Sequence, residues 1–264
     1  MLRIFHLSKT FNAKTINEKK ALRNIDLSLN DGDFVTVIGG NGAGKSTLLN
    51  MIAGVYPMDS GKIILNDVDI TLLPEFKRAK YIGRVFQDPM MGTAASMQIE
   101  ENLALAKRRG KRRGLHWEIS NGEREEYKVL LKRLGLGLED RLSSQVGLLS
   151  GGQRQALTLL MATLQRPNLL LLDEHTAALD PKTASSVLNL TQELVLESHL
   201  TTLMITHNMK DAIKYGNRLI MMHNGQIIYS VEGEEKKNLK VEDLLAKFEE
   251  CAGHELSNDR MLLV

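Results

Sequence analysis

The stretch that most constrains the fold is a glycine-rich segment at residues 39–47, Gly39-Gly40-Asn41-Gly42-Ala43-Gly44-Lys45-Ser46-Thr47. It follows an apolar run at 34–38 that predicts a buried strand, and it leads into a second run at 48–53 that predicts a helix ending at Gly54. The glycines let backbone N–H groups turn inward, and the helix N-terminus adds its positive dipole end. This pattern predicts a phosphate-binding loop, in which Lys45 reaches the β and γ phosphates of a nucleotide and Ser46 holds Mg²⁺.

Composition limits the remaining possibilities. The 264 residues are 43% hydrophobic and 25% charged, which predicts one globular domain with lobes. With 34 basic and 32 acidic residues the net charge is +2, which gives no overall bias towards nucleic acid. The single cysteine, Cys251, cannot form an internal disulfide and fits a reducing compartment. Neither a secretion signal nor a membrane-spanning apolar run is predicted, so we expect only a partner to hold the chain at a membrane.

The N-terminal part predicts strands. Residues 2–7 and 21–29 alternate apolar and polar side chains, as half-exposed antiparallel strands do. A polar loop begins near Phe11, whose ring either stacks on a nucleotide base or caps a small local core. Residues 62–65 and 68–70 predict a small meander. A further strand at 82–86 ends before Gln87, which therefore lies at a strand's carboxyl end, where ligands bind in open α/β sheets.

Residues 90–145 show helical rather than strand periodicity. Two apolar stripes are predicted to face a core, one of Ile99, Leu103 and Ala106 and the other of Tyr127, Leu130, Leu131 and Leu134. Between them the run 107–113 places six cations in seven residues. Binding to nucleic acid or anionic lipid and a solvated loop are both compatible with this run. Trp117 is predicted to be a local anchor.

The C-terminal part adds a second cluster of polar candidates. Leu149-Ser150-Gly151-Gly152-Gln153 leads into a predicted helix at 154–165, with Ser150 as a suitable cap. A buried strand at 169–172 ends in Asp173 and Glu174. Adjacent carboxylates at such a place are costly to desolvate without a cation, and Mg²⁺ on a nucleotide supplies one. Asp173 would then lie in the metal shell and Glu174 would accept a proton from water. The alternative is an acidic pair that caps a helix.

After Glu174 the sequence predicts further helices and strands in turn. A loop at 177–181 precedes a predicted helix at 183–197, and a strand at 203–206 ends just before His207. A histidine there either hydrogen-bonds a γ-phosphate or is structural. Strands at 219–222 and 226–231 predict a hairpin. A last helix is predicted around 241–248, with a frayed tail from Leu256.

Taken together, these segments resemble the ATP-binding subunits of ABC transporters over nearly the whole chain. Residues 39–46 resemble the Walker A motif, Gln87 with Asp88 and Pro89 the Q-loop, and 149–153 the signature sequence LSGGQ. Residues 169–174 resemble Walker B with its catalytic glutamate. Residues 177–180 resemble the D-loop, His207 the switch histidine, and Phe11 the aromatic residue that stacks on adenine.

The resemblance implies a P-loop α/β fold with a mixed central sheet, an antiparallel β subdomain and a helical subdomain. On this basis we expect one ABC ATPase domain over 1–264. Its core is RecA-like and spans 1–88 and 150–235, its helical subdomain spans 89–149, and the final helix and tail span 236–264. ATP and Mg²⁺ are the implied cofactors.

The resemblance also implies roles for single residues. ATP would lie between the Walker A loop of one subunit and the signature motif of a second, so that Ser150, Gly151, Gly152 and Gln153 serve the partner's γ-phosphate in a head-to-tail homodimer. Glu174 would polarise the attacking water, and His207 would hold the γ-phosphate. Ser46, Gln87 and Asp173 would bind the metal. Asp180 would link the two sites.

Two positions depart from the family pattern. Gly40 stands where serine or proline is common, which should be harmless in a loop that binds through its backbone. His175 follows the catalytic glutamate where proline is common, and the sequence does not decide its effect. Residues 88–93 and 173–176 resemble amino-acid uptake ATPases of the tryptophan/tyrosine type.

The partners are likewise implied by the family. Import requires separate permease subunits, and an extracytoplasmic substrate-binding protein would accompany them. Such a subunit lies on the cytoplasmic face of the membrane, and Met90 and Met91 would belong to the surface that meets the permease. No nucleic acid partner is expected. A soluble ABC ATPase acting on nucleic acid or ribosomes, favoured only by the basic run, and the ATPase of a two-part exporter are the alternatives.

Overall fold

The computed structural model describes residues 1–111 and 119–252. The chain forms two compact units. The first unit comprises Met1–Arg78 and His199–Val264, and the second unit comprises Ala79–Ser198. The predicted helical subdomain, 89–149, falls inside the second unit, and its limits stay a prediction. No helix within the described ranges is both long and apolar enough to cross a membrane.

The first unit contains two sheets. Its strands, numbered along the whole chain, are β1 (Leu2–Phe11), β2 (Lys19–Leu29), β3 (Phe34–Ile38), β4 (Ser60–Leu65), β5 (Val68–Asp69), β8 (Thr202–Ile205), β9 (Arg218–His223) and β10 (Gln226–Glu232). One sheet has the order β2-β1-β4-β5 and is antiparallel throughout. This confirms the antiparallel β part and the meander.

The other sheet of the first unit is mixed. Its strands follow the order β10-β9-β3-β8, in which β3 pairs in parallel with β8 and β9, and β9 forms an antiparallel hairpin with β10. All five residues of β3 are buried, as the apolar run predicted, because the strand has a neighbour on either side and is covered on both faces. The glycine-rich segment leaves this sheet at Ile38.

The helices of the first unit are α1 (Lys45–Ala53), α2 (Glu75–Arg78), α7 (Met209–Lys214), α8 (Gly233–Lys237) and α9 (Val241–Ala252). Helix α1 is held at its C-terminal end by the buried Arg78, whose guanidinium donates to the carbonyl oxygens of Met51 at 2.7 Å and Ile52 at 2.8 Å. Helices α7 and α9 pack on β3 and the hairpin through a cluster that includes Ile38, Met209, Met221, Leu244 and Phe248.

The second unit joins a parallel strand pair to a helical layer. Its elements are β6 (Ile82–Val85), α3 (Ile99–Lys107), α4 (Asn121–Lys132), a 3-10 turn (Val146–Leu148), α5 (Gly151–Thr163), β7 (Leu169–Asp173) and α6 (Pro181–Glu197). Strands β6 and β7 pair in parallel. Helices α3, α4 and α5 share a core that contains Ile99, Leu103, Tyr127, Leu131 and Leu157. The predicted stripes face that core at Ile99, Leu103, Tyr127, Leu130, Leu131 and Leu134, and Ala106 is half-buried.

Element boundaries differ from the predictions where side chains cap the backbone. Helix α5 begins three residues earlier than predicted because Ser150 and Gln153 form a capping box. Helix α6 begins at Pro181 because Asp180 caps it. Strand β1 runs through Phe11 into the segment predicted as a loop, and β6 ends at Val85. The short helices α2, α7 and α8 have no predicted counterpart.

Part of the basic run is already engaged. Lys107 pairs with Glu126, and Arg108 lies 3.1 Å from Glu123. Arg109 donates to the carbonyl oxygen of Ala162 at 3.1 Å, and burial lowers the pKa of its guanidinium. The run's last two residues, 112–113, and the predicted anchor Trp117 lie outside the described residues, as do the Cys251 side chain and the tail from Leu256.

Candidate functional site

The glycine-rich segment in the first unit adopts a conformation that depends on its glycines. Gly39, Gly42 and Gly44 have φ angles of 150°, 77° and 101°, a region that side chains disfavour. A Cβ at Gly39 would lie 2.2 Å from the carbonyl oxygen of Met222, on the neighbouring strand. The backbone N–H of Gly225, in the β9–β10 turn, donates to the carbonyl oxygen of Ala43 at 3.0 Å. The loop is therefore built into the mixed sheet.

Lys45 stands at the first position of α1 and is only 7% exposed. Its ammonium donates to the carbonyl oxygens of Gly39 at 2.7 Å and Gly40 at 3.1 Å, so that the side chain folds back along the loop. Asn41, Gly42 and Ser46 are exposed, and Thr47 is half-buried. The segment thus presents backbone, a hydroxyl and an ammonium at a helix N-terminus, which is a suitable arrangement for a phosphate chain.

Phe11 lies at the end of β1 and has an aromatic neighbour. Its ring packs edge to face with Tyr56, with centroids 5.3 Å apart and an interplanar angle of 83°. The Lys9 ammonium lies 5.6 Å from the Phe11 centroid and pairs with Asp59 at 3.1 Å. The structure thus places Phe11 in a small local cluster, and its stacking on adenine stays a prediction. Sequence reasoning missed Tyr56 because nothing in its local pattern links it to β1.

His207 is exposed two residues beyond the end of β8. The next residue, Asn208, caps α7 by accepting a hydrogen bond from the backbone N–H of Asp211 at 3.2 Å. At the other end of α7, Lys236 donates to the carbonyl oxygens of Gly216 at 2.9 Å and Ile213 at 3.2 Å. Burial lowers the pKa of Lys236 to about 8. Helix α7, which follows His207, is therefore held by hydrogen bonds at both of its ends.

In the second unit, Asp173 ends β7 and faces a cation on the neighbouring strand. Its Oδ2 lies 3.6 Å from Nη2 of Arg84, and the two side chains are only 14% and 13% exposed. The Arg84 guanidinium also lies 4.4 Å from the centre of the Phe86 ring. A protein cation therefore lies beside Asp173, while the predicted Mg²⁺ contact stays a prediction. A charged residue inside the otherwise apolar strand β6 was the sequence signal for this protein cation.

Gln87 is exposed two residues beyond the end of β6. The segment before it is fixed by Gln155, a fully buried residue of α5 whose Nε2 donates to the carbonyl oxygen of Phe86 at 3.2 Å. Gln155 lies two residues after the predicted signature motif, and sequence reasoning missed this contact because the partners are distant in the chain. Helix α5 therefore positions the Gln87 segment within the second unit.

Glu174 has an unusual backbone conformation. Its φ is 44°, in the left-handed region that residues with a Cβ disfavour, and its carbonyl oxygen accepts from the N–H of Ala177 at 2.9 Å. The neighbouring His175 is 2% exposed, and its Nε2 lies 3.1 Å from the Thr191 hydroxyl oxygen on α6. Burial lowers the pKa of His175 to about 4. The helix that follows this acidic pair, α6, is capped by Asp180.

The signature residues open helix α5. The Ser150 hydroxyl accepts from the N–H of Gln153 at 3.3 Å, and the Gln153 side chain accepts from the N–H of Ser150 at 3.2 Å. A Cβ at Gly152 would lie 2.2 Å from the methyl carbon of Thr183, so this glycine lets α5 and α6 approach closely. Gly151 is exposed, as is Asp180, whose pKa is held below its usual value by hydrogen bonds from Thr183.

The predicted site residues therefore form two groups, one in each unit. The first unit holds Phe11, the loop 39–47 and His207, and the second holds Gln87, the signature residues 150–153, Asp173, Glu174 and Asp180. Within the part of the chain that the structure describes, no group of three or more His, Cys, Asp or Glu side chains could hold a metal ion. A metal at either group would need further oxygen ligands, such as those of a nucleotide.

Comparison with known proteins identifies the family. The ABC transporter family matches residues 22–177. The chain is 47% identical to the tyrosine transport ATP-binding protein of Clostridioides difficile over 94% of this chain and 99% of that protein. It is 36% identical to the thiamine import ATP-binding protein ThiQ of Chelativorans sp. over 76% of this chain and 77% of that protein.

Solved structures of ATP-binding cassettes have a similar fold. The ATP-binding cassette MJ0796, in a dimeric post-hydrolysis state bound to ADP and Pi, has a TM-score of 0.75 at 28% identity, covering 88% of this chain and 98% of its own. A nucleotide-free ATP-binding cassette from an ABC transporter has a TM-score of 0.77 at 29% identity, covering 97% and 99%. The matching family, the similar proteins and these folds lead to one conclusion: the chain belongs to the ABC transporter family and is an ATP-binding subunit with ATPase activity.

Proposed function

We propose that this chain is the ATPase of an uptake system for an aromatic amino acid of the tyrosine class. The observation that carries this proposal is the similarity, along almost the full length of both chains, to the tyrosine transport ATP-binding protein. Residues 88–93 and 173–176, which resemble that type of uptake ATPase, support it. The substrate itself would contact other proteins, because the motifs of this chain serve nucleotide and permease.

In this proposal the first unit binds the nucleotide. The N–H groups of the loop 39–47 surround the phosphates, the Lys45 ammonium moves from the Gly39 and Gly40 carbonyls to the β and γ phosphates, and Phe11 stacks on the adenine. Ser46, Asp173 and Gln87 offer the hydroxyl, carboxylate and amide oxygens that Mg²⁺ prefers. When bound, the metal would neutralise charge on the transferred phosphoryl group.

Hydrolysis is assigned to the second unit and to His207. Glu174 accepts a proton from the water that attacks the γ-phosphate, Gln87 orients that water and would offer its amide oxygen to the metal, and His207 donates a hydrogen bond to the γ-phosphate. Asp173 supplies negative charge to the metal shell. Arg84 must loosen its 3.6 Å contact with that carboxylate, or share it, when the metal binds.

The proposed partners follow the same family logic. A second copy would pair head to tail, bringing its Ser150, Gly151, Gly152 and Gln153 to the γ-phosphate, with Asp180 linking the two sites. The dimeric MJ0796 cassette supports this arrangement. Permease subunits would hold the ATPases at the cytoplasmic face of the membrane and contact the exposed Met90 and Met91, which are 44% and 69% exposed. An extracytoplasmic binding protein would deliver the substrate.

The substitution Glu174→Gln tests the catalytic assignment. It removes the proton acceptor and keeps the shape, so we expect ATP binding to persist while steady-state hydrolysis falls by about 10²–10⁴-fold, the usual size of a general-base effect. The control is Glu193→Gln, which changes an exposed carboxylate on α6 of the same unit and should leave hydrolysis unchanged. Unchanged turnover in Glu174→Gln would refute the assignment.

Uptake measurements test the transport assignment. Cells that lack this chain should lose accumulation of labelled tyrosine, and the wild-type chain should restore it while Glu174→Gln should not. Affinity purification from native membranes should bring down an integral membrane protein. Recovery of the chain without any membrane protein would contradict the proposal. Within the described residues, the engagement of Lys107, Arg108 and Arg109 by protein groups gives no reason to propose a nucleic acid substrate instead.

A further inference from the structure

The backbone at Glu174 needs a restraint. This residue follows the last residue of β7, where pairing with β6 ends, and its φ of 44° is unfavourable for a residue that carries a Cβ. Such conformations persist only where the surroundings determine them, and they occur at functional sites more often than elsewhere. The strand fixes the chain before Glu174. A second restraint must act on the residues that follow Glu174.

The next residue, His175, is held against helix α6. Its ring is 2% exposed, and its Nε2 lies 3.1 Å from the hydroxyl oxygen of Thr191, which is 1% exposed on α6. The Thr191 hydroxyl has one hydrogen, and that hydrogen is used towards the Val187 carbonyl oxygen at 2.8 Å. Thr191 must therefore accept, and Nε2 of His175 must carry the proton.

This bond is directional rather than merely space-filling. Thr191 is already satisfied by Val187, so α6 does not need the histidine, whereas a buried imidazole N–H does need an acceptor. A leucine would fill the same space without being tied to one atom of α6. The consequence of the histidine is that the Cα following Glu174 is anchored to a helix.

We propose that His175, through its hydrogen bond to Thr191, is a positioning residue that holds the left-handed turn at Glu174 and thereby aims its carboxylate at the attacking water. The inference rests on the proposed function, which assigns the general-base role to Glu174. His175 touches neither substrate nor metal in this scheme. It acts only through the backbone of its neighbour.

Three variants test the bond in the full chain. His175→Leu removes the donor, and we expect kcat for ATP hydrolysis to fall by about 10–100-fold while KM for ATP stays within about twofold, because a general base misplaced by about 1 Å loses rate of this order. His175→Gln keeps an N–H donor of similar reach and should recover most of kcat. Thr191→Val removes the acceptor, together with the bond to Val187 inside α6, and should reproduce the loss in kcat. It also serves as the test if the leucine variant does not fold.

A double-variant experiment separates positioning from structure. In the Glu174→Gln background the carboxylate is already lost, so His175→Leu should cause no further decrease in the residual hydrolysis. Its effect on the melting temperature should be equal in both backgrounds, because the packing change is the same.

Two results would overturn the inference alone, namely a wild-type kcat in both His175→Leu and Thr191→Val, or an equal fold-loss with and without Glu174. A third result has a different meaning. If Glu174→Gln by itself leaves turnover unchanged, the general-base assignment fails first, and the positioning role falls with it.

Discussion

The phosphate-loop group of the first unit and the acidic group of the second unit are built in different ways. The loop 39–47 gets its shape from backbone, through positive φ angles at Gly39, Gly42 and Gly44 and through Lys45 bonded to its own loop carbonyls. The acidic group gets its shape from buried side chains, with Arg84 beside Asp173 and His175 bonded behind Glu174. The first group therefore depends on backbone conformation, and the second depends on contacts between buried side chains.

The loop 39–47 should be destabilised when a Cβ is added at one of its close-packed glycines. Gly39→Ala would force a Cβ to within 2.2 Å of the Met222 carbonyl oxygen at a φ of 150°, so we expect a loss of about 2–5 kcal/mol in the free energy of unfolding, the sum of conformational and overpacking costs. Gly32→Ala is the control, since its φ is also positive and nothing lies near, and should cost about 1–2 kcal/mol. Urea titration measures both. Equal losses would mean that close packing does not define the loop.

The contribution of His175 to the free energy of unfolding should decrease at acid pH. The pKa of His175 is about 4 in the folded protein against 6.5 when unfolded, so below pH 6.5 the unfolded chain takes up a proton that the folded chain refuses. The stability that the neutral ring contributes above pH 6.5 is then lost progressively, reaching about 3 kcal/mol near pH 4. The comparison of wild type with His175→Gln, which cannot titrate, isolates this contribution in urea titrations across that range. Parallel pH profiles would contradict it.

The Arg84–Asp173 pair tests whether charge holds the acidic group together. Arg84→Met leaves a largely buried carboxylate without this cation, and we expect a loss of about 1–3 kcal/mol, between the values for exposed and buried pairs. The double variant with Asp173→Asn should lose less than the sum of the single losses. The exposed Lys128–Glu125 pair, 2.8 Å apart, is the control and should couple by no more than about 0.5 kcal/mol. Equal coupling in both pairs would remove the distinction.

The smallest expected effect concerns Ser150, which caps a helix and is also predicted to contact a ligand. Ser150 and Ser120 both cap helices of the second unit through capping boxes, so Ser150→Ala and Ser120→Ala should each cost about 1 kcal/mol of stability. Only Ser150→Ala should also lower ATP hydrolysis, by about tenfold or more, if its hydroxyl serves the partner's γ-phosphate. An equal effect of the two substitutions on hydrolysis would reduce Ser150 to a cap.

Much of the fold was predictable from local pattern. Strand β3, the hairpin β9–β10 and the stripes of α3 and α4 followed from apolar periodicity and glycine positions, because burial imposes a period of two or 3.6 on any stretch long enough to show it. Helices α2, α7 and α8 are four to six residues long and contain too few periodic positions for this. The candidate site residues were predicted from sequence motifs.

The phosphate loop was predictable from local sequence, because its motif places glycines at 39, 42 and 44, where the backbone adopts positive φ angles that other residues disfavour. Local sequence did not determine what supports the acidic group. Gln155 reaches the Phe86 carbonyl across 69 residues, and His175 reaches Thr191 across 16. Only tertiary structure decides such contacts, since each partner has many possible neighbours until strands and helices pack and burial makes one hydrogen bond necessary.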